Sequence, residues 1–367
     1  MKVSFIIASR NSSKTIAQTL SSFKRQTSMN FEVIVVDNSY DETPRILEEY
    51  KNGDLSNHLV YVKSNDKCAS EGRNIGLNYA SGDYVVFLDA DDLVHPCLVE
   101  DIVEVGKNLR PEILIWDFEI IYPKDLVKKR FIEKYHKIQC KDKRVDFPIV
   151  GAEILKESYI DRQGWIWIGN IAYSRKYLDK QNIKFPEEFV IGEDPNFSFK
   201  LLCTASKCAR IHSTLAYYFQ APGSMTRRYN PRFADQFYAF IDMAEFSSHL
   251  YRYSGIQIYK DLENSLKNEW VISAFVTLLV SNFLMLSKEV GCNKARAFIC
   301  ANLKEKYPSL KGIIKDSLKT VSRRRQYLLY KPISELLLRE PDTISLLFIS
   351  KSVMLLKKLG NVYKSIK

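Results

Sequence analysis

The 367 residues of the chain can form one large domain or two ordinary ones, and 46% hydrophobic with 26% charged residues excludes a disordered or fibrous protein. The formal net charge is +11, but residues 1–302 are close to neutral, so the basic excess lies near the C-terminus. Seven scattered cysteines without a C-x-x-C pair argue against a zinc site and favour reduced thiols over a disulfide framework.

Four apolar runs alternate with helical patterns over the first 90 residues. We expect buried strands at residues 3–8, 33–36, 59–62 and 84–88, and the first run is too short for a signal peptide. Between the strands, apolar spacing predicts helices that carry Ile16, Leu20 and Phe23, then Ile46 and Leu47, and a third from about Ser70 to Ala80. This β-α-β-α-β-α-β order predicts an α/β fold with a mainly parallel, doubly wound sheet.

The pattern changes beyond residue 100. EILIWDF at residues 112–118 and WIWIGNIAYS at residues 165–174 predict two further strands. From residue 229 to residue 367 helical periodicity dominates, and we expect a C-terminal α-helical region there.

Polar residues follow each of the first four predicted strands. These ends are Ala8-Ser9-Arg10-Asn11, Asp37-Asn38-Ser39, Ser64-Asn65 and Asp89-Ala90-Asp91-Asp92. In doubly wound sheets ligands bind beyond the carboxyl ends of the strands. Four polar ends at one edge therefore predict a ligand site.

The sequence after the first strand lacks the glycine-rich motifs that commonly bind phosphates, and this absence limits the chemistry of the site. The residues there are ASRNSS, so neither a G-x-G-x-x-G turn nor a P-loop can hold phosphates. A divalent metal bound by carboxylates can bridge a protein to a diphosphate instead. Asp89 and Asp91 are two residues apart, so in an extended segment both face one ligand, and oxygen ligands favour Mg²⁺ or Mn²⁺.

Several of these stretches together resemble inverting family 2 glycosyltransferases with a GT-A fold. The stretches are FIIASRN, VIVVDNSYDET, EGRNIGLNYASGDYVVFLDADD and VIGEDPNF. The resemblance covers residues 1–228 and implies a nucleotide-sugar-binding half at 1–100 and an acceptor half at 101–228. The Q-x-x-R-W motif of the processive members is absent, which argues against polymerisation.

The resemblance implies roles for particular residues. Asp37 would contact the nucleotide base, and Ala8, Ser9 and Asn11 would line the base and ribose pocket. Arg73 would lie near the phosphates or pair with the acidic edge. Asp89 would contact ribose or metal, and Asp91 would be the principal metal ligand. Asp194 would be the general base, with Glu193 as the alternative, and Arg227 or Arg228 would touch phosphate.

An exposed aromatic face would suit a sugar acceptor. Trp165 and Trp167 alternate along a predicted strand, so they would form an acceptor platform, or one would belong to the core and the other line the site.

The reaction implied is metal-dependent transfer of one sugar from a nucleotide sugar, a UDP-sugar by preference, to a hydroxyl of a surface-glycan precursor such as capsule or lipopolysaccharide. A sugar-nucleotide nucleotidyltransferase is one alternative, but it needs a glycine-rich basic loop after the first strand. A non-catalytic relative that binds a glycan or a partner is the other. The intact aspartates 89, 91 and 194 argue against it.

The C-terminal region suggests contact with a membrane. Residues 303–367 contain 15 Lys and Arg against 5 Asp and Glu, beside apolar and aromatic residues. This composition suits an anionic membrane surface, although a solvated face on ordinary helices is the alternative, and no nucleic-acid motif is present. The uncharged stretch at residues 270–287 is at the lower limit for a membrane span, and a buried helix is preferred. We expect a cytoplasmic protein, peripheral on the inner face of the cell membrane.

Overall fold

The computed structural model describes residues 1–126, 143–220 and 229–320. The chain forms two compact units, Met1–Pro222 and Gly223–Lys367. The domain limits taken from the sequence, 1–228 and 229–367, lie near this division, and the assignment of two functional halves within the first stays a prediction.

The first unit is built on one mixed sheet. Its strands are β1 (Val3–Ser9), β2 (Phe31–Asp37), β3 (Leu59–Lys63), β4 (Tyr84–Asp89), β5 (Leu93–Val94), β6 (Ile113–Ile121), β7 (Val145–Ile149), β8 (Ile171–Ser174) and β9 (Cys208–Phe219). Within the described residues the strand order is β3-β2-β1-β4-β8-β6-β9-β5, and β7 also pairs with β9.

Helices connect the strands of this unit. They are α1 (Ile16–Phe23), α2 (Thr43–Asn52), α3 (Ala69–Tyr79), α4 (Leu98–Leu109), α5 (Gly151–Leu155), α6 (Arg175–Gln181) and α7 (Glu193–Thr204). The predicted alternation over the first 90 residues is therefore confirmed.

The prediction of a mainly parallel sheet is right for one half only. β3, β2, β1 and β4 are parallel, as right-handed crossovers require. Beyond β4 the sheet is mixed: β4–β8 and β6–β8 are antiparallel, β6–β9 is parallel, and β5 and β7 each pair antiparallel with β9. Parallel neighbours need a crossover between them, and the sequence beyond residue 100 does not keep the strand–helix alternation that supplies one.

Close packing of α3 on the sheet positions the site. The strand residues Phe5, Ile6 and Ile7 are fully buried. A Cβ added at Gly76 in α3 would lie 2.4 Å from Cγ2 of Ile6, so glycine lets the helix approach β1. The same helix carries Arg73.

One strand is shorter than its sequence pattern predicts. β8 begins at Ile171, and a 3₁₀ turn at Ile168–Asn170 precedes it. Trp165 and Trp167 therefore lie before the strand. The Asn170 side chain accepts the backbone N–H of Trp167 at 3.0 Å and donates to the carbonyl of Trp116 at 2.8 Å, which ends the extended segment.

The second unit is helical, as expected. Its described helices are α8 (Asp235–Ser254), α9 (Gln257–Ser265), α10 (Val271–Val290), α11 (Cys292–Lys306) and α12 (Leu310–Thr320), with a π-helical turn at Leu266–Trp270 between α9 and α10. Phe237, Met243 and Phe283 are fully buried in its core. Most of the basic excess predicted to contact a membrane, at residues 321–367, lies outside the described residues.

One helical stretch in the described part, Gln257–Val290, is long and apolar enough to cross a membrane. The core helix of a soluble protein meets the same criteria, and 44% of its apolar window is buried. Within it Asn282 accepts the backbone N–H of Asn230 at 3.0 Å and donates to the carbonyl of Leu278 at 2.9 Å. These contacts are those of a helix packed against protein on one side.

The cysteines differ from the expectation of reduced thiols throughout. Cys97 is disulfide-bonded. Five described cysteines are thiols that form no disulfide: Cys68, Cys203, Cys208, Cys292 and Cys300. Scattered spacing in a sequence does not show which two sulfurs meet in space, so this pair could not be recognised beforehand.

Candidate active site

Strand register brings three of the predicted polar ends together. Ala8 is the partner of Asp89 across β1 and β4, and Ser9 is the partner of Asp37 across β1 and β2. The carboxyl ends of these strands thus share one edge, where doubly wound sheets bind ligands.

An acidic cluster forms at the end of β4. Asp89, Asp91 and Asp92 each place one carboxylate oxygen within 4.8 Å of the others. Asp92 is fully buried: one oxygen accepts the backbone N–H of Phe219 at 2.8 Å, and the other has no hydrogen-bond partner among the described residues. Clustered carboxylates with an unsatisfied buried oxygen fit a hard divalent cation such as Mg²⁺ or Mn²⁺.

The cluster is electrostatically unfavourable without a cation. Burial, and then the charge of Asp89, raise the pKa of Asp91 to about 7. Burial, followed by the charges of Asp89 and Asp91, raises the pKa of Asp92 well above its ordinary value. A bound cation would offset both effects, because it favours the charged form of each carboxylate.

Arg73 connects this cluster to the start of α7. It is 4% exposed, and its guanidinium donates to Asp89 Oδ1 at 2.9 Å and to Glu193 Oε1 at 3.1 Å. The guanidinium carbon lies 5.2 Å from the ring centroid of Phe185. Burial opposes the charge of Arg73, but the two carboxylates keep its pKa above the ordinary value. Of the two positions considered for Arg73, pairing with the acidic edge is the one observed.

Glu193 and Asp194 form the first turn of α7, after Gly192 at φ 96°. Burial first raises the pKa of both carboxyls, and the charge of Glu193 then contributes at Asp194, whose pKa rises to about 8. Glu193 is engaged by Arg73, whereas Asp194 is partly exposed and pairs with no cation among the described residues. A carboxylate with a pKa near the working pH suits proton transfer.

A second group of buried polar atoms lies at the ends of β1 and β2. Asp37 is fully buried; one oxygen accepts the Ser39 hydroxyl at 2.6 Å, and the other lacks a partner within the described residues. The Ser9 hydroxyl is also buried and lacks one. Asn11, at φ 53°, donates its N–H to Ser39 Oγ and accepts the N–H of Tyr40, which joins the two loops. Unsatisfied buried polar atoms are what a hydrogen-bonding ligand would satisfy.

Two residues of this pocket escaped the sequence analysis. Asp66 and Ser70 are buried, and each has a side-chain oxygen without a partner in the described part of the chain. Burial raises the pKa of Asp66. Asp66 directly follows the polar end Ser64-Asn65, which was the available signal. The predicted pocket residue Ala8 packs towards α3. A Cβ added at Gly72 in that helix would lie 3.2 Å from the Cβ of Ala8.

Four aromatic residues beside the acidic cluster form what we term the aromatic cluster. The rings of Trp165 and Trp167 each contact those of Phe118 and Tyr218, with centroids 5.2–5.6 Å apart. Trp165 is 55% exposed and Trp167 only 3%, so one lines the surface and the other belongs to the core. Tyr218 was not recognised from the sequence. Burial, and then the charges of Asp92, Asp89, Asp91 and Asp194, raise its pKa to about 12.

The remaining predicted site residues, Arg227 and Arg228, lie outside the described residues.

The fold and this site define a glycosyltransferase domain. Residues 4–163 match Glycosyl transferase family 2. The mixed α/β sheet and the acidic end of β4 agree with that match. Residues 4–163 therefore belong to a family 2 glycosyltransferase domain, and the first unit has a GT-A-type fold, as the sequence resemblance implied.

Two of the curated relatives come from the bacterium Staphylococcus aureus. Over 222 residues the chain is 26% identical to the poly(ribitol-phosphate) beta-N-acetylglucosaminyltransferase TarS of Staphylococcus aureus, covering 60% of this chain and 35% of TarS. Over 223 residues it is 28% identical to TarP of the same organism, which is named for the same activity, covering 59% of this chain and 62% of TarP. The chain thus spans about a third of one relative and less than two thirds of the other.

A solved structure shows the same fold. The crystal structure of residues 1–349 of Staphylococcus aureus TarS in complex with UDP-GlcNAc aligns with a TM-score of 0.59 and 19% sequence identity. The alignment covers 96% of this chain and 92% of that one.

Proposed function

We propose that the protein transfers a single sugar, with inversion, from a UDP-sugar to a hydroxyl of a cell-surface glycan precursor. The observation that carries this proposal is the buried Arg73, which joins the acidic cluster of β4 to the Glu193-Asp194 turn. A donor-binding edge and a candidate base are thereby held in one rigid frame. The activity for which TarS and TarP are named, and the UDP-GlcNAc bound to TarS, support a UDP-sugar donor and an acceptor at the cell surface.

Asp91 and Asp89 would hold Mn²⁺ or Mg²⁺, with Asp92 completing the acidic cluster behind them. When bound, the cation neutralises charge on the leaving diphosphate. Asp37, Ser9 and Asn11 would bind the base and ribose, with the buried unsatisfied oxygens of Asp37 and Ser9 as points of contact. Arg227 and Arg228 would contact phosphate.

Asp194 would be the general base. The acceptor oxygen forms a bond to the anomeric carbon of the donor sugar, and the bond from that carbon to the diphosphate oxygen breaks. The acceptor hydroxyl proton moves to the Asp194 carboxylate, and UDP leaves with the electron pair of the broken bond. This single in-line displacement inverts the anomeric configuration. Glu193 is less suited to the role because Arg73 already engages it.

A cytoplasmic position beside the membrane would give access to a lipid-linked acceptor. The basic region at residues 303–367 would supply a peripheral contact with anionic lipid. Truncation near residue 302 should move the protein from the membrane fraction to the soluble fraction. If the shortened chain still sediments with membranes, the basic region is not the contact.

The proposed activity is tested by incubating the protein with UDP-GlcNAc, Mn²⁺ and a cell-wall glycan extract, and by following UDP release and the anomeric configuration of the product by NMR. The proposal expects acceptor-dependent UDP release and a β-linked product from the α-linked donor. Asp194→Asn should abolish release. Glycan binding without turnover of this or any other UDP-sugar would support a non-catalytic relative instead.

A further inference from the structure

The aromatic cluster has an internal geometry that the donor chemistry does not explain. The indole of Trp165 meets Phe118 at an interplanar angle of 71° and Tyr218 at 88°. Rings that meet edge to face on two sides fix the orientation of the indole. An isolated exposed aromatic residue needs no explanation, but one that is oriented in advance and 55% exposed has the form of a binding surface.

The aromatic cluster lies close to the carboxylates of the candidate active site. The residue after Tyr218 is Phe219, whose backbone N–H binds Asp92. Tyr217 and Phe219 pack with Leu93 and Ile121, so Tyr218 points to the opposite face of β9, where its ring meets both tryptophans. The charges of the acidic cluster and of Asp194 all act on the Tyr218 hydroxyl. Tyr218 therefore contacts the exposed indole and directly precedes the residue that binds Asp92.

The remaining members of the cluster have supporting positions. Trp167 is almost fully buried and packs against Phe118 and Tyr218, the same two rings that Trp165 contacts. A Cβ at Gly169 would lie 2.3 Å from the Trp167 ring, so glycine permits this indole to lie flat against its own turn. Trp167 is thus tightly packed, whereas Trp165 is the tryptophan of the cluster that is open to solvent.

We propose that Trp165 and Tyr218 form the acceptor subsite, and that the acceptor is the ring of a pyranose. The apolar face of the sugar stacks on the indole of Trp165, and the Tyr218 hydroxyl donates a hydrogen bond to a sugar oxygen beside the attacked hydroxyl. This inference rests on the proposed glycosyltransferase function and specifies its acceptor.

The shape of the surface favours a ring over an open chain. A pyranose carries a preformed flat face of C–H groups, which matches a rigid indole at small entropic cost. An acyclic polyol must first lose rotational freedom in each C–C bond to present such a face. The acceptor proposed for this chain therefore differs from the poly(ribitol-phosphate) for which TarS and TarP are named.

The inference is tested by saturation-transfer NMR on the full chain with UDP and Mg²⁺. The probes are the methyl pyranosides of common hexoses and N-acetylhexosamines, with ribitol 5-phosphate as the acyclic comparison. We expect at least one pyranoside to bind, with saturation concentrated on one ring face. Trp165→Ala should weaken that binding about threefold to tenfold, and Trp165→Phe should restore part of it. Tyr218→Phe should keep the stacking and lose affinity only partially.

Tyr79→Ala is the matched control, because Tyr79 is 51% exposed in the same unit but lies outside the aromatic cluster. It should leave pyranoside binding unchanged.

UDP binding, measured calorimetrically with every variant, separates the two proposals: if wild type binds no nucleotide, the glycosyltransferase proposal fails. If UDP binds but no pyranoside does, or if pyranosides bind Trp165→Ala and wild type equally, the acceptor inference is overturned. Preferential binding of ribitol 5-phosphate would overturn it as well.

Discussion

Arg73 and Glu193 form a buried ion pair across 120 residues of sequence, with Nη1 of Arg73 3.1 Å from Oε1 of Glu193. The same guanidinium holds Asp89, so one cation fixes both the end of β4 and the start of α7. Such a group is costly to desolvate, and it persists only because both partners are present.

Removal of Arg73 should strongly destabilise the fold. Arg73→Met leaves two carboxylates without their cation, and we expect a loss of about 3 kcal/mol in the free energy of unfolding. The double variant Arg73→Met with Glu193→Gln should recover part of this loss, because one unpaired charge disappears. Chemical denaturation of wild type, the single variant and the double variant measures these free energies of unfolding.

Arg45→Ala is the control for this comparison. Arg45 is exposed and pairs with Glu42 and Glu49, so its loss should leave the free energy of unfolding nearly unchanged. If Arg73→Met is as stable as the control variant, the buried pair does not hold the site together.

Asp194→Asn should lower kcat about 10²–10⁴-fold, the range for a lost general base. Binding of UDP should not change, because Asp194 is assigned to the acceptor hydroxyl. With a pKa of about 8, the base is increasingly protonated as the pH falls, so kcat should decrease tenfold per pH unit below 8 and level off above it. Steady-state kinetics between pH 6 and 9 test this profile.

Glu193→Gln distinguishes the two candidate bases. It should retain the pH profile of kcat. Its kcat should fall less than that of Asp194→Asn, because the substitution removes only the ion pair with Arg73. If Glu193→Gln removes the dependence on pH and Asp194→Asn keeps it, the roles of the two residues are exchanged.

The acidic cluster should make the stability of the metal-free protein depend on pH. The folded state favours the protonated form of Asp91, whose pKa is raised to about 7 from an ordinary 3.8. This contribution to stability is complete below about pH 4 and is lost as the pH rises through 7. The Tm of metal-free protein should therefore fall between pH 5 and 8, and Mn²⁺ should restore it most at the upper end.

Asp91→Asn should flatten this dependence, and Asp41→Asn should not. The pKa of Asp41 is lowered to about 2 by hydrogen bonds from Ser13 and Thr43 that outweigh its burial. Its stabilising contribution is therefore constant from pH 5 to 8. Equal slopes for Asp91→Asn and wild type in differential scanning calorimetry would contradict the account of the cluster.

Substitutions of Trp165 and Trp167 should affect the free energy of unfolding to different extents. Trp167→Ala removes a buried indole and should cost about 3–5 kcal/mol of unfolding free energy. Trp165→Ala, at an exposed position, should change it by less than about 1 kcal/mol. Urea denaturation of the two variants checks this, and a similar loss in both would show that Trp165 also belongs to the core.

Much of the first unit was predictable because its physics is local. Buried parallel strands are continuous apolar runs, so β1 to β4 and the polar residues that follow them could be placed from the sequence. Asp37, Asp89 and Asp91 were located in this way. The i, i+2 spacing of the last two is enough to predict a shared ligand from the sequence.

The rest depended on contacts that the sequence does not encode locally. The antiparallel pairing of β4 with β8 joins strands more than 80 residues apart. Trp165 and Trp167 alternate as strand residues do, but the Asn170 side chain ends the extended segment before β8. Tyr218 reaches the site only because β9 returns beside β6.

The central claim is that the aspartates at the end of β4 hold a metal on a nucleotide diphosphate. Calorimetric titration of UDP, GDP and CDP, with and without Mn²⁺, tests it on wild type, Asp91→Ala and the exposed control Asp117→Ala. We expect UDP to bind wild type and the control only when Mn²⁺ is present, and Asp91→Ala to lose this binding. Nucleotide binding that survives the loss of either Mn²⁺ or Asp91, or that is absent from wild type altogether, would contradict the claim.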